Sequence, residues 1–462
     1  MHQSSYNLRS GRYRPYGHQP PLGLGYVAAI AEKAGHEVVI VDGVAKGYSI
    51  DDCARVINGL SPDMVGLSVM THVKDESAAL ADSVRRMNPK VRIVVGGTHA
   101  YYFSADILRE MPSVDFVLYG EVESSLQTFL ANVGSPDKWH VVPGLFYRLA
   151  DGTVASTPPP PAVESLDDVA LPSWHLYDFN LYRPLPFQSK GGRFFALITS
   201  RGCAYAKCAF CYQSGNLKQR YRRHSPARVV LEMKTLHDKY GVRDIAFWDD
   251  TFSTDLKWLS EFARLLKEQS LSINWTCSTK VSFLNEERLS VMRDAGCWSI
   301  FLGIESGDEE LLHSIEKGIT LDQARNAVRW ANELGIETRC AYMLGLPGET
   351  PEKARKTMAL AKELDSTYAI FYATHPRYGT KLYEMATRTG TFLSKEFRGM
   401  TGITYVPEGY RDAEELRRTI RRAYTGFYLR PRQLLKYVRK MNSFSAFREL
   451  FFALELFLGL RR

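Results

Sequence analysis

Apolar and polar positions alternate along this chain in two successive regimes. In the first, short apolar runs stand at 37–41, 64–69, 91–95 and 116–118. Between them, and after the last, lie polar stretches with apolar residues at helical spacing, over 52–58, 74–87, 105–110 and 124–132. A helix opened by Pro20-Pro-Leu-Gly-Leu-Gly25 and closed at Gly35 precedes them. Strand-sized runs alternating with amphipathic helices predict a parallel, doubly wound (Rossmann-like) α/β sheet. Ligands of such sheets bind beyond the strand C-termini. Here those ends carry Asp42-Gly43, Ser68-Val-Met-Thr-His72, Gly96-Gly-Thr-His99 and Tyr119-Gly-Glu121.

The second regime starts at 194. Apolar runs at 194–198, 244–248, 273–277, 298–302, 337–343 and 368–372 are each followed by a helical pattern. Start and stop signals agree with it: Ser225-Pro226, a Thr320/Gln323 capping box and Thr350-Pro351 open helices, while Gly241, Gly296 and Gly335 close them. Six strand–helix units predict a partial (β/α)6 TIM barrel, whose functional groups collect at the strand C-termini. Between the regimes, 142–149 with Asp151-Gly152 reads as a hairpin and Thr157-Pro-Pro-Pro-Pro161 as a stiff polyproline segment. Beyond 412 the pattern is helical, with Leu416, Ile420, Tyr424 and Phe427 on one stripe and a second helix over 444–458. The expected organisation is a sheet domain over 1–140, a linker over 141–190, the partial barrel over 191–400 and a helical tail over 401–462.

Composition agrees with a folded protein of more than one domain, at 462 residues, 45% hydrophobic and 24% charged. The net charge is +8, and residues 411–462 hold 13 Lys and Arg against 5 Asp and Glu, which accounts for all of it. The body is therefore near neutral, and no nucleic-acid partner is expected. The tail pattern fits packing against the barrel best. The alternative is a basic amphipathic segment resting on an anionic membrane and meeting a lipid-like substrate. Met1-His-Gln-Ser-Ser lacks an apolar signal region, and no run of 18 apolar residues occurs, so a cytoplasmic location is expected. Seven cysteines, an odd number with three packed together, suit ligand duty in a reducing compartment.

Those three lie in Thr199-Ser-Arg-Gly-Cys203-Ala-Tyr-Ala-Lys-Cys208-Ala-Phe-Cys211, on the loop after the first barrel strand. Three thiols on one loop suit a soft metal centre. A structural zinc site usually joins two short-spaced cysteine pairs, and no second Cys-x-x-Cys exists here. Three thiolates without an evident fourth ligand fit an iron–sulfur cluster with one open iron better.

This loop resembles that of the radical S-adenosylmethionine (SAM) superfamily, with Phe210 at the aromatic position and one residue more between Cys203 and Cys208 than the usual three. The resemblance implies that Cys203, Cys208 and Cys211 hold a [4Fe–4S] cluster. It further implies that the cluster, fed by an external one-electron reductant of flavodoxin or ferredoxin type, cleaves SAM to a 5′-deoxyadenosyl radical. Later motifs fall in family order. They imply SAM contacts from Asp249, Asp250 and Thr251, from Lys280, from Glu305 and Ser306, and from Leu346 in the Leu344-Gly-Leu-Pro-Gly-Glu-Thr350 loop. The first regime, with Pro21-Leu-Gly-Leu-Gly25, Gly96-Gly-Thr-His99 and Gly120-Glu-Val-Glu123, resembles the cobalamin-binding domain fused ahead of many such enzymes. That implies cobalamin contacts from Ser68, Met70, Thr71, Gly96, Gly97, Gly120 and Glu121. The Asp-x-His-x-x-Gly signature of an axial histidine is absent, and 1–19 contain no apolar run to serve as the family's leading strand. The implied function is cobalamin-dependent methylation of an unactivated carbon on a small-molecule substrate. The alternatives are a cobalamin-independent radical cyclisation or rearrangement, and a non-catalytic metalloprotein or membrane-surface scaffold.

Overall fold

Strand order in the first sheet follows the chain: β1 (Met64–Ser68), β2 (Arg92–Gly96), β3 (Phe116–Leu118), β4 (Leu145–Arg148) and β5 (Val154–Ser156). The computed structural model describes residues 17–185, 187–214, 219–394 and 402–440. Two compact units divide the chain, 1–185 with 193–196 and 186–192 with 197–462. In the first unit β1 to β3 are parallel, and β3 to β5 are antiparallel.

Six helices accompany this sheet among the described residues: α1 (Leu22–Lys33), α2 (Gly43–Lys46), α3 (Ile50–Gly59), α4 (Lys74–Met87), α5 (Thr98–Glu110) and α6 (Val122–Asn132). Successive strand residues point to opposite faces. Val65, Ile93, Val95 and Val117 accordingly pack with Ala54, Ile57, Ala81, Val84, Ile107 and Leu108. Val94, Phe116 and Leu118 pack on the other side with Leu126 and Phe129, against which Val27 and Ile30 lie. Helices thus cover both faces, as a doubly wound sheet requires.

Two expectations change. The hairpin assigned to a linker instead extends the sheet as β4 and β5. The run at 37–41 is not a strand; Val39 is 55% exposed, while Val41 still packs on the core. A strand exists only with a partner, and among the described residues nothing pairs with β1 on its outer edge. Among the described residues 37–41 therefore has no strand to pair with. The chain is held there by Asp42, which accepts from Ala45 N at 3.0 Å to cap α2 and bonds the Tyr182 hydroxyl. The stretch 171–182 docks on α1: Ser173 N donates to Gly25 O at 3.0 Å and Tyr177 OH to Pro21 O at 2.9 Å. A Cβ on Gly25 would stand 2.8 Å from the Tyr177 hydroxyl, so this glycine serves close packing.

In the second unit, β6 (Arg193–Leu197), whose first residues cluster with the first unit, opens a six-stranded sheet. It continues with β9 (Val242–Phe247), β10 (Asn274–Thr279), β11 (Cys297–Glu305), β12 (Glu337–Leu344) and β13 (Tyr368–Ala373), in chain order. A short ladder, β7 (Ser200–Arg201) with β8 (Arg222–Arg223), interrupts it after β6. The accompanying helices are α7 (Pro226–Tyr240), α8 (Leu256–Glu268), α9 (Glu286–Asp294), α10 (Glu309–Ser314), α11 (Leu321–Glu333), α12 (Pro351–Leu364) and α13 (Lys381–Arg388). The expected caps form: Ser225 Oγ accepts from Arg228 N, Thr320 and Gln323 make a capping box, and Gly241 closes α7 at φ +67°. This is the half-barrel that the sequence predicts.

Following the β14 (Gly390–Phe392) and β15 (Tyr405–Pro407) pair come α14 (Ala413–Tyr428) and α15 (Pro431–Lys440). The stripe Leu416, Ile420, Tyr424 and Phe427 is buried. Tyr424 OH donates to Phe371 O at 3.0 Å and accepts from Phe371 N at 3.1 Å. Tyr428 OH does the same with Ala369, at 2.8 and 3.2 Å. Two phenols thus stand in for the strand that would pair with the open edge of β13. Part of the basic surplus is matched as well, since Asp365 pairs with Arg432 at 2.9 Å and Lys436 at 2.7 Å. The described tail therefore packs on the barrel, and the helix expected over 444–458 lies outside the described residues. Among the described residues no helix is long and apolar enough to cross a membrane.

Candidate functional site

The cysteine loop leaves the barrel through the β7–β8 ladder. Gly202 sits there at φ +80°, and a Cβ on it would lie 2.8 Å from Gln219 O. Only glycine lets the two ends of the loop close. The additional residue between Cys203 and Cys208 is absorbed by Ala206 in the left-handed region (φ +42°), whose N–H points to Cys203 Sγ at 3.5 Å. The other half of the loop is braced on both sides: Ala209 N donates to Ile315 O at 2.8 Å, and Leu382 N donates to Ala209 O at 2.9 Å. Ser214 Oγ holds the Cys208–Cys211 turn through Cys208 O at 2.6 Å and Cys211 O at 2.8 Å. Beneath it Ala209, Leu311, Ile315, Leu346 and Leu382 form an apolar floor joined by Phe210 and Met343. Leu346 and Phe210 therefore belong to one cluster under the thiols.

Burial pushes the Cys208 thiol up to about 12 and raises Cys211 also, with Lys317 pulling Cys208 and Arg377 pulling Cys211 the other way. Such thiols become thiolates when a metal takes the proton's place. Among the described residues no three His, Cys, Asp or Glu converge on one ion. A [4Fe–4S] cluster does not require that, since it binds each cysteine through a different iron. A braced loop bearing three soft donors beside buried cations fits an anionic cluster.

Around the loop stand the residues expected from the sequence, in unequal roles. Glu305 ends β11 at φ +69°, next to a break in register between Gly303 and Glu305. An L-residue held there signals strain that the surroundings sustain. Its Oε1 accepts from Lys317 Nζ at 2.7 Å, both side chains being 10% exposed, and Lys317 also lies over the Phe210 ring at 5.5 Å. A Cβ on Gly303 would come within 2.4 Å of Glu305 Oε1 and 2.8 Å of Lys317 Nζ, so the pair fills the space that glycine leaves. Sequence reasoning missed Lys317; the available signal was Glu305 itself, because a buried carboxylate demands a cation. Lys280 Nζ bonds Ser282 Oγ at 2.8 Å and the Gly318 carbonyl, and lies 3.9 Å from the Tyr205 ring centroid. Burial and the neighbouring Lys317 lower its pKa to about 8.

Asp249 and Ser306 are structural pins in this geometry. Ser306 Oγ faces Thr357 at 3.3 Å and receives Asp308 N at 3.1 Å, bridging to α12. Asp249 is 3% exposed, and its Oδ1 accepts from Thr199 N (2.7 Å), Ser200 N (2.6 Å) and Ser200 Oγ (2.9 Å), its Oδ2 from Thr199 Oγ1 (2.8 Å). It clamps the root of the cysteine loop. We expect Asp249→Leu to cost on the order of 3 kcal/mol or more by stranding four buried donors, and to lower iron uptake with it. Asp249→Asn, which keeps the three bonds to Oδ1, is expected to cost about 1 kcal/mol and retain the iron. Chemical denaturation and iron analysis of both variants check this. Of its neighbours, exposed Asp250 accepts from Gln213 Nε2 at 3.0 Å, while the buried Thr251 Oγ1 has no partner among the described residues. That orphan hydroxyl is available to a bound group.

Glu349 organises the 344–350 loop. Its Oε1 accepts from Gly345 N at 2.6 Å and from Tyr410 OH at 2.7 Å, it is fully buried, and burial raises its pKa to about 7. The folded chain thus holds this proton more tightly than the unfolded chain, which releases it near 4.5. Stability is expected to fall as pH rises from about 4.5 to about 7, and Glu349→Gln is expected to flatten that decline in a series of thermal melts.

In the first unit the expected residues collect at the C-terminal ends of β1 to β3. Gly97 (φ +97°) lets the loop after β2 approach the loop after β1, since a Cβ would stand 2.9 Å from Val69 O. Val69 N donates to Gly96 O at 2.8 Å, and Thr71 Oγ1 faces His99 Nδ1 at 3.1 Å. Ser68, Thr71 and Gly97 are exposed and Met70 and Gly96 half-buried, a ledge poor in side chains that fits a large neutral ring. Gly120 and Glu121 are engaged otherwise: Pro160 packs where a Gly120 Cβ would be, at 2.9 Å, and Glu121 Oε2 accepts from Val163 N at 3.0 Å. The polyproline segment covers this third strand end.

A cysteine loop on a half-barrel, preceded by a doubly wound sheet, defines a two-domain cofactor enzyme. Residues 197–361 match the Radical SAM superfamily, and residues 14–130 match the B12 binding domain. The chain is 33% identical to an uncharacterized methyltransferase of Pyrococcus horikoshii, over 92% of this chain and 91% of the relative. It is 30% identical to the cytidylyl-2-hydroxyethylphosphonate methyltransferase of Streptomyces wedmorensis, over 86% and 84%. Its fold matches that of the cobalamin-dependent S-adenosylmethionine radical enzyme OxsB with a TM-score of 0.74, at 17% identity, covering 96% of this chain and 69% of the other. The chain belongs to the radical SAM enzymes that carry a B12-binding domain. Its cofactors are accordingly a [4Fe–4S] cluster, SAM and cobalamin.

Proposed function

We propose that this enzyme methylates an unactivated carbon of a small-molecule substrate. The observation that carries the reading is the braced loop of Cys203, Cys208 and Cys211, flanked by the buried Lys317–Glu305 pair at the end of β11. Bound there, the reduced cluster supplies the electron that cleaves SAM, and cobalamin supplies the methyl group. The chain's own part is holding and shielding. Cys203, Cys208 and Cys211 hold the irons, and the Ala209–Leu346–Leu382 floor keeps water from beneath them. Glu305, Thr251 Oγ1 and the 344–350 loop receive SAM, with Lys317 fixing the Glu305 carboxylate. Ser68, Thr71 and Gly97 provide the ledge for cobalamin. The described tail packs on the barrel, so the reading draws nothing from a membrane or a lipid-like substrate.

The test is anaerobic reconstitution with iron, sulfide and hydroxocobalamin, then SAM, a one-electron reductant and product analysis. Retention of about four irons together with cobalt, and formation of both 5′-deoxyadenosine and S-adenosylhomocysteine, is the expected result. Iron and 5′-deoxyadenosine without cobalt would move the assignment to cobalamin-independent radical chemistry. Zinc in place of iron would end both.

A further inference from the structure

The half-barrel contains a charge that its fold does not account for. Arg339 on β12 is 7% exposed, and its Nε is buried without a hydrogen-bond acceptor. Among the described residues the guanidinium makes no hydrogen bond and no ion pair. It lies over two aromatic rings, Phe187 at 5.4 Å and Phe301 at 5.8 Å. The titratable groups that act on it most are phenols and thiols, Tyr368, Tyr372, Cys277 and Cys297, rather than carboxylates.

Register places this side chain in the lumen. Arg339 pairs with Phe301 on β11 and with Tyr368 on β13, and residues directly opposite share a face. Phe301, Tyr368 and Tyr372 are only half-buried, as lumen residues of an open barrel would be. Their outward neighbours Ile300, Leu302, Cys340, Ala369 and Phe371 are fully buried. The floor is built from the same wall: Phe187 packs on Tyr368 at 5.6 Å, in a segment fixed by Asp244 Oδ2, which accepts from Ser189 Oγ at 2.7 Å and Gly192 N at 2.7 Å. Ser299, one lumen position below Phe301 on β11, presents a second buried group without a partner, its Oγ. Glu337, one position below Arg339 on the same face and opposite Ser299, is the carboxylate that register brings nearest, and it makes no ion pair with Arg339.

A buried cation without a counter-ion is costly, and folds discard it unless something else retains it. Replacing Arg339 by an apolar residue would suit the surrounding rings better. What guanidinium offers instead is a planar fork of donors that matches carboxylate or phosphate oxygens. We infer that Arg339 binds an anionic group of the substrate, a carboxylate or a phospho- or phosphono-group, at the floor of the half-barrel lumen. Glu305 pairs with Tyr342, three residues further along β12 than Arg339, which puts the mouth about 10 Å above the anion. The substrate is therefore an elongated small molecule whose anionic end is several bonds from the carbon that reacts. This deepens the methyltransferase reading and rests on it for the direction of the substrate.

Anion binding can be measured without knowing the substrate. Full-length reconstituted protein, free of SAM, is titrated with methylphosphonate, with acetate and with neutral dimethyl methylphosphonate at constant ionic strength, following the melting temperature and calorimetric heats. Saturable binding of at least one anion, none of the neutral ester, and a weakening of about ten-fold or more in Arg339→Met are expected. Arg339→Met is also expected to melt no lower than the wild type without anion. Arg339→Lys, which keeps the charge without the fork, should bind with intermediate strength, and decides the matter if the Met variant does not fold. Equal binding by wild type and variants, or no saturable binding by the wild type, would overturn the inference. Iron content and SAM cleavage of the wild type are recorded in parallel. Their absence counts against the methyltransferase reading, while the titration stands by itself.

Discussion

In Cys208→Ala, iron uptake is expected to collapse and 5′-deoxyadenosine formation to vanish, while the chain stays folded. Cys208 is only partly buried, and the loop around it is held by backbone bonds that do not involve its thiol: Ala209 N to Ile315 O, Leu382 N to Ala209 O, and Ser214 Oγ to Cys208 O. Removing one sulfur therefore costs little packing, within about 1 kcal/mol. It removes one of three thiolates from a cluster that has no spare ligand in the loop. The four other cysteines, Cys53, Cys277, Cys297 and Cys340, are all buried elsewhere and cannot replace it. Cys208→Ser is expected to fail equally, because a hydroxyl does not give up its proton to iron as a thiol does. Iron analysis, the visible spectrum and a thermal melt on one preparation test this. Wild-type SAM cleavage by Cys208→Ala would remove the cluster from that loop.

Much of this site was legible because its chemistry depends on local spacing. Three cysteines in nine residues and the glycine-bearing strand ends survive translation into structure, as do the caps at Ser225, Thr320 and Thr350. What was not legible are properties of partnership. The run at 37–41 has a strand's composition, but pairing decides whether a strand forms, and among the described residues no strand pairs with it. The hairpin after 142 looked like a linker because nothing local says which sheet edge it will join. Asp249 reads as a ligand by position, yet its two oxygens are taken by Thr199 and Ser200, some fifty residues earlier in the chain. Gly120 and Glu121 likewise read as cofactor contacts, and Pro160 of the polyproline segment and Val163 just after it engage them. Lys317 and Arg339 are the converse: a lone lysine and a lone arginine carry no motif, and only burial makes them conspicuous.

The Lys317–Glu305 pair offers the sharper test, because stability and chemistry separate there. Lys317→Met leaves a carboxylate buried without its cation, which is expected to destabilise the barrel by about 3–5 kcal/mol. Glu305→Leu alone strands the ammonium group with a similar penalty. The double variant Lys317→Met/Glu305→Leu removes both charges from a site whose floor is already apolar through Phe210 and Leu346. Its stability is expected to return to within about 1–2 kcal/mol of the wild type, since buried ion pairs are often no better than well-packed apolar replacements. Glu305 also sits at φ +69°, a conformation that costs about 1–3 kcal/mol, at the break in register that ends β11. If the pair exists for SAM, the double variant will be folded, iron-loaded and inactive, with 5′-deoxyadenosine formation reduced to background. A double variant that is stable and cleaves SAM at the wild-type rate would make the pair a structural brace and leave Glu305 without a role in the reaction. The cycle of single and double variants, read by denaturation and by SAM cleavage together, separates a charge kept for folding from one kept for the cofactor.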